Sequence, residues 1–231
     1  MIIVIMPAFN AEKTLKKTFD DIPKGIVNEI ILGDDGSKDR TVEIAQLMGI
    51  RVMKTARNLG YGGNQKMLYR EALRLGADVV VMLHPDWQYD ATKIPDMVLP
   101  LLEGTKDFMM GSRMAEAKTG MPFYKYISNR FLSWVEERTF KLGLSEYHSG
   151  FRAFNRRVLE TIPFESNSDD FVFDTQVLGQ VAANQFRAGE VNVPCRYFPE
   201  ASEINFWRST IYGLQTLWVC VKYLWMLKFG A

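Results

Sequence analysis

The chain has 231 residues, a length for one large domain or one domain with an extension, and enough to bury a sizeable core. Lys and Arg number 28 against 27 Asp and Glu, so no net basic field calls for nucleic acid. Two cysteines, Cys195 and Cys220, exclude a disulfide framework and suit a reducing compartment; Met1 to Pro7 lacks the basic start of a signal peptide.

Ile2 to Met6 is apolar and β-branched and closes at Pro7, which predicts a first strand. Asn10 is the expected N-cap of the next helix, with Glu12 in its first turn and Leu15, Phe19 and Ile22 as its buried stripe. Glu29 to Leu32 predicts a second strand, opening into Gly33-Asp34-Asp35-Gly36-Ser37-Lys38-Asp39-Arg40-Thr41. Ser37 or Asp39 can cap the helix that carries Val42, Ile44, Ala45 and Leu47 and ends at Gly49. Arg51 to Lys54 is a short third strand. Asn58-Leu59-Gly60-Tyr61-Gly62-Gly63-Asn64 is a glycine-rich turn into a helix that runs to Leu75. Val79 to Leu83 reads as a fourth strand buried on both faces, stopped by Pro85. Strand and helix alternate with short connections, so the fold class is α/β: a mostly parallel sheet covered on both faces.

Beyond it, Ile94 to Leu102 reads as a helix, Asp107 to Gly111 as a strand leading to Ser112-Arg113, and Tyr124 to Leu142 as a helix. Ser149 to Phe154 is a strand or loop, followed by a short helix from Arg156. Asp174 to Ala183 is a further helix and Phe186 to Val193 a further strand. This half shows no clear βαβ alternation and reads as part of the same domain. Trp207 to Phe229 nears the apolar density of a membrane span, but Gln215, Lys222 and Lys228 interrupt it. An interfacial helix is the first reading; a core or dimer helix and a true span are the others.

His84-Pro85-Asp86-Trp87-Gln88 lies just past the carboxyl end of the fourth strand, where open α/β sheets bind ligands. An oxygen-rich loop with one imidazole suits a divalent cation such as Mg²⁺ or Mn²⁺ holding phosphates. Asp34 and Asp35 follow the second strand and converge on the same crevice. Asp35 can accept from a base or ribose of a nucleotide, and Asp86 can hold the cation on its phosphates. The plainer alternative makes Asp34 to Ser37 a turn with a helix cap.

Together these residues resemble the family 2 glycosyltransferases, which have the nucleotide-sugar-binding GT-A fold. The likeness is carried by Pro7-Ala8-Phe9-Asn10, the Asp34 to Thr41 run, the Asn58 to Gly63 turn, Asp86-Trp87-Gln88, Gly111-Ser112-Arg113 and Ser149-Gly150-Phe151-Arg152. Within that family it is similar to the polyprenyl-phosphate (dolichol-phosphate) sugar synthases, over Ile2 to Ser202. The resemblance implies a GT-A domain over 1–203, and leaves 204–231 as a helix at a membrane interface or in a homodimer. It implies inverting transfer of a hexose from a nucleotide-diphosphate sugar, UDP before GDP, to a polyprenyl phosphate. The enzyme would be cytoplasmic, peripheral at the membrane face.

The residues that the resemblance implies for the nucleotide sugar are Pro7, Ala8, Asn10, Asp34, Asp35, Gly36, Asn58, Gly60, Gly63 and Asp86. Asp86 and Gln88 are implied for Mn²⁺ or Mg²⁺. His84 stands where the family has the first aspartate of its metal loop, and imidazole suits Mn²⁺ better than Mg²⁺. Asp86, Arg113, Arg152 and Asp174 are the catalytic candidates; Arg113, Arg130 and Arg196 would meet an acceptor phosphate. Tyr197 to Ser202 lacks the Gly-Glu-Ser-Lys run that follows the last arginine in those synthases. Asp169, Asp170 and Asp174 either cap a helix or supply a base for a hydroxyl acceptor; an ionised phosphate acceptor would need no base. His148 reads as structural. A second function class is a non-catalytic nucleotide-sugar-binding relative, motivated by His84; a third, a sugar nucleotidyltransferase, shares a sheet of this kind, but no glycine-rich, Lys/Arg-bearing phosphate loop follows the first strand.

Overall fold

Strand β1, Ile2–Ala8, is buried at every position, as befits a strand paired on both edges and covered on both faces. The computed structural model describes residues 1–115, 121–196 and 206–230. In chain order its strands continue with β2 (Glu29–Asp34), β3 (Arg51–Lys54), β4 (Val79–Met82), β5 (Phe108–Ser112), β6 (Arg152–Asn155) and β7 (Ala188–Asn192). They form one seven-stranded sheet in the order β3-β2-β1-β4-β6-β5-β7. β6 runs antiparallel to both β4 and β5, and every other pairing is parallel.

The helices are α1 (Leu15–Asp21), α2 (Thr41–Leu47), α3 (Tyr61–Arg74), α4 (Ile94–Leu102), α5 (Phe123–Phe140), α6 (Arg156–Thr161), α7 (Phe173–Ala183) and α8 (Phe206–Phe229). Side chains alternate across each strand, so the sheet has two cores. Ile3, Ile5, Val80 and Met82 face α3 and α7. Val4, Met6, Val79, Val81 and Leu83 face α1, α2 and α4. Each fully buried aliphatic side chain contributes about 1.5–3 kcal/mol, so this two-sided burial dominates the fold.

Two local expectations are corrected, and a third is narrowed to one of its alternatives. Pro7 lies inside β1 rather than ending it. On one edge β4 stops pairing at Ile5, and on the other Pro7 sits opposite Gly33, so a missing N–H is tolerated there. Asn10 does not cap α1, which starts at Leu15 after Thr14. It has φ +53°, and its Oδ1 accepts from Lys38 N at 2.9 Å while its own N–H donates to Ser37 Oγ at 2.8 Å. Asn10 thus ties the loop after β1 to the loop after β2. At α2 it is Asp39 that serves the first turn, accepting from Thr41 N at 3.0 Å and Thr41 Oγ1 at 2.6 Å.

α8 packs on α5 and α7, burying Thr216 and Cys220. Among the described residues no helix is long and apolar enough to cross a membrane. The Tyr197 to Ser202 run and the 203/204 boundary lie outside the described residues.

Candidate active site

The carboxyl ends of β1, β2 and β4 lie side by side, so their loops share one crevice. Asp34 closes its own turn, accepting from Ser37 N at 3.2 Å. Asp35 is buried and accepts from Leu59 N at 2.6 Å, Gly60 N at 3.0 Å and Thr55 Oγ1 at 3.2 Å. Its carboxylate therefore shapes the glycine-rich turn. Asn58 Nδ2 closes the same contact on Asp35 O at 2.9 Å. The glycines serve close packing: Gly62 N donates to Asp169 O at 2.7 Å, and a Cβ on Gly60, at φ +82°, would meet that carbonyl at 2.6 Å. With these N–H groups spent inside the protein, the turn is no bare phosphate cradle. Pro7 and Ala8 are buried in β1, and Gly36 turns at φ +85°.

Asp86 is buried, and its Oδ1 accepts from Gln88 N at 3.1 Å. Burial pushes its pKa above the usual carboxylate range. Trp87 between them has φ +58°, which a bulky residue adopts only under constraint. The constraint is visible: the indole N–H donates to Asp21 at 2.8 Å, with Lys17 and Arg196 over the ring at 4.7 and 4.4 Å. Arg196, an acceptor-phosphate candidate, is engaged here, 3.2 Å from Asp21. Arg130 is exposed on α5.

His84 Nε2 lies 3.2 Å from Tyr61 Oη, which donates to Asp174 Oδ2 at 2.8 Å. Asp174 also accepts from Gln65 at 3.1 Å and pairs with Arg152 Nη1 at 2.5 Å. Burial holds the His84 pKa below its usual value, keeping the ring neutral, while burial and Asp174 hold the Tyr61 pKa well above its own. Arg152 is 1% exposed, so its charge acts through Asp174 rather than on solvent.

Arg113 leaves β5 and pairs with the buried Glu146, its Nε donating at 2.8 Å and its backbone N at 2.7 Å. Arg113 Nη2 also reaches Glu146, and donates to His148 O at 3.0 Å. Burial opposes the Arg113 charge, but Glu146 holds its pKa well above the ordinary value. Asn129 on α5 braces Glu146 at 2.9 Å. The His148 side chain bridges helices, its Nδ1 2.7 Å from Tyr212 Oη on α8 and its Nε2 3.0 Å from Glu136 on α5. Tyr61, Gln65, Glu146 and Tyr89, whose Oη accepts from Gly150 N at 2.8 Å, are site residues that sequence reading did not single out. Tyr61 lies within the glycine-rich turn, where the glycines drew the reading, and Gln65, Tyr89 and Glu146 stand in no pattern that marks them before the fold is known.

The set fits a cation completed by substrate. Among the described residues no three His, Cys, Asp or Glu side chains gather to hold a metal alone. Asp86 offers one buried carboxylate and His84 one neutral imidazole; Mg²⁺ and Mn²⁺ sites commonly add the diphosphate of the substrate to one or two such ligands.

An open sheet with a single reversed strand, and an acidic loop beyond each of β2 and β4, is the GT-A type of fold. The chain belongs to glycosyl transferase family 2, which matches residues 3–163. It is 27% identical over 219 residues to a UDP-N-acetylglucosamine–dolichyl-phosphate N-acetylglucosaminyltransferase of Methanococcus voltae, covering 85% of this chain and 86% of that one. It is 28% identical over 200 residues to a dolichyl-phosphate hexose transferase of Haloferax volcanii, covering 84% and 82%. Its fold is similar to glucosyl-3-phosphoglycerate synthase of Mycobacterium tuberculosis, solved with UDP: TM-score 0.75, 21% identity, 96% of this chain and 79% of that one. A structure of the same enzyme with Mn²⁺, UDP and product gives a TM-score of 0.72 at 20% identity, covering 96% and 79%.

Proposed function

We propose that this glycosyltransferase moves a hexose from a UDP-sugar to a polyprenyl phosphate, with inversion and with Mn²⁺ or Mg²⁺. One observation carries the acceptor. Arg113 is braced from beneath by α5 and α8, through Asn129, Glu146, His148 and Tyr212, and the outer faces of the same two helices are apolar. On α8, Trp207, Ile211, Leu214, Trp218, Val221 and Trp225 recur every three or four residues and are all exposed. On α5, Phe123, Ile127, Phe131 and Trp134 do the same. α8 contains no Asp or Glu, and carries Arg208, Lys222 and Lys228. Such a face suits the boundary of an anionic bilayer, with an arginine behind it for a lipid phosphate. Relatives named for dolichyl phosphate support the same reading. Residues 1–203 form the catalytic unit in this reading, α8 is the surface helix, and the enzyme sits at the cytoplasmic membrane face.

In the reaction an acceptor phosphate oxygen bonds to the anomeric carbon while the bond to the diphosphate oxygen breaks. The electron pair leaves on UDP, and no proton has to move. A bound cation would offset the charge that develops on the diphosphate. Asp174 is held by Tyr61, Gln65 and Arg152, and so serves as an anchor rather than a base.

Mass spectrometry of the product from UDP-hexose and a polyprenyl phosphate should show a sugar–phosphate bond. A glycosidic bond to a hydroxyl overturns the acceptor class. UDP with Mn²⁺ should raise the melting temperature by mass action, and GDP less; no shift with either removes the donor reading. Trp218→Ser combined with Trp225→Ser should weaken binding to anionic vesicles on the order of tenfold or more, with donor binding unchanged. Vesicle affinity equal to the parent's would detach α8 from the membrane.

A further inference from the structure

We propose that Tyr61, anchored by Asp174 and Arg152, is a positioning residue that locks His84 in its Nε2–H tautomer and so leaves Nδ1 as the nitrogen offered to the cation at Asp86. The inference rests on the metal-assisted reading and concerns the one position where the metal loop departs from the family pattern.

The argument is a proton count. Tyr61 Oη carries one hydrogen. Asp174, paired with Arg152 at 2.5 Å, is a carboxylate and only accepts, so the phenol proton lies on the 2.8 Å contact to Asp174 Oδ2. The 3.2 Å contact between Tyr61 Oη and His84 Nε2 can then be made in one direction only, with Nε2 donating. A neutral imidazole with its hydrogen on Nε2 has a bare lone pair on Nδ1, the state required of a metal ligand.

Packing fixes the ring as well as the proton. A Cβ on Gly150 would stand 2.4 Å from both Cδ2 and Nε2 of His84, so glycine is required for that edge of the ring to seat there. Nδ1 is the vertex across the ring from that bond, and it points away from Gly150. Tyr61 and Tyr89 lie near-parallel to the imidazole, tilted 22° and 27°, with centroids 5.6 and 6.5 Å away. Asp86 stands two residues on in the same loop, its carboxylate buried. The chain Arg152–Asp174–Tyr61–His84 thus does for an imidazole what carboxylate–histidine pairs do at other metal sites: it sets which nitrogen is free.

The test uses the full chain and two readouts besides turnover. In metal-free protein, ¹⁵N shifts of His84 should report an Nε2–H tautomer; in Tyr61→Phe the two tautomers should mix. Mn²⁺ affinity in the presence of UDP, read by electron paramagnetic resonance, should fall about tenfold to a hundredfold in Tyr61→Phe and in His84→Ala. Mg²⁺ affinity should fall less. The double variant should bind Mn²⁺ no more weakly than His84→Ala alone, because Tyr61 acts only through the imidazole. An Nδ1–H tautomer in the parent overturns the proposal. So does Mn²⁺ affinity unmoved by His84→Ala, or additive effects in the double variant. Failure of the metal-assisted reading itself is distinguishable, since it would leave full activity in chelator whatever the tautomer.

Discussion

Asp86→Asn lowers turnover on the order of a hundredfold and leaves the fold intact. The loss is that expected when one aligned charge stabiliser is removed. Asn is nearly isosteric, and its carbonyl oxygen can keep the 3.1 Å bond from Gln88 N. What disappears is the buried negative charge, which no other carboxylate on the loop replaces. The fold should be slightly more stable without it. Burial raises the Asp86 pKa, so the folded state holds its proton to higher pH than the unfolded state. Stability is then lost as pH rises from the unfolded pKa through the folded one. Asparagine removes that loss. Steady-state kinetics with a thermal melt check both halves; turnover within about threefold of the parent would exclude Asp86 from the reaction.

The largest loss of stability should come from Arg152→Ala. Arg152 is 1% exposed and pairs with Asp174 at 2.5 Å. Truncation leaves a buried carboxylate without its cation, a change that costs about 3–5 kcal/mol. For a chain of this length the melting temperature should drop by roughly 6–20 °C. Inactivity of this variant would therefore report unfolding, not a lost phosphate contact. Combining Arg152→Met with Asp174→Asn removes both charges, keeps an acceptor for Tyr61 and Gln65, and should recover part of the stability, which denaturant titration can test. A single Arg152→Ala that melts with the parent would show that the pair contributes little.

The parallel half of the sheet is legible in the sequence chiefly because β1, β2 and β4 are built on short apolar runs. Val79 to Met82, buried at every position, is the plainest case. β6 is not legible. Arg152-Ala-Phe-Asn has neither length nor alternation, and its place between β4 and β5 is set by partners far along the chain. The site divides in the same way. Asp34, Asp35 and Asp86 stand in motifs whose composition betrays them. Their engagements do not: Asp35 closes on a turn 24 residues away, and Tyr61 reaches Asp174 across 113. Local pattern encodes which residues are polar at a strand end. Which of them keep a lone pair for substrate depends on contacts that only folding makes.

Four of the five tryptophans, Trp134, Trp207, Trp218 and Trp225, are exposed on α5 and α8. The fifth, Trp87, is partly buried under Lys17 and Arg196. The intrinsic fluorescence of this molecule therefore comes mostly from one outer face, and from indoles that sit in water. Any apolar phase that covers that face should shift the emission to the blue without a label, and quenchers placed at known depths in acyl chains would measure how far each indole enters. The aromatic face is its own optical gauge of immersion.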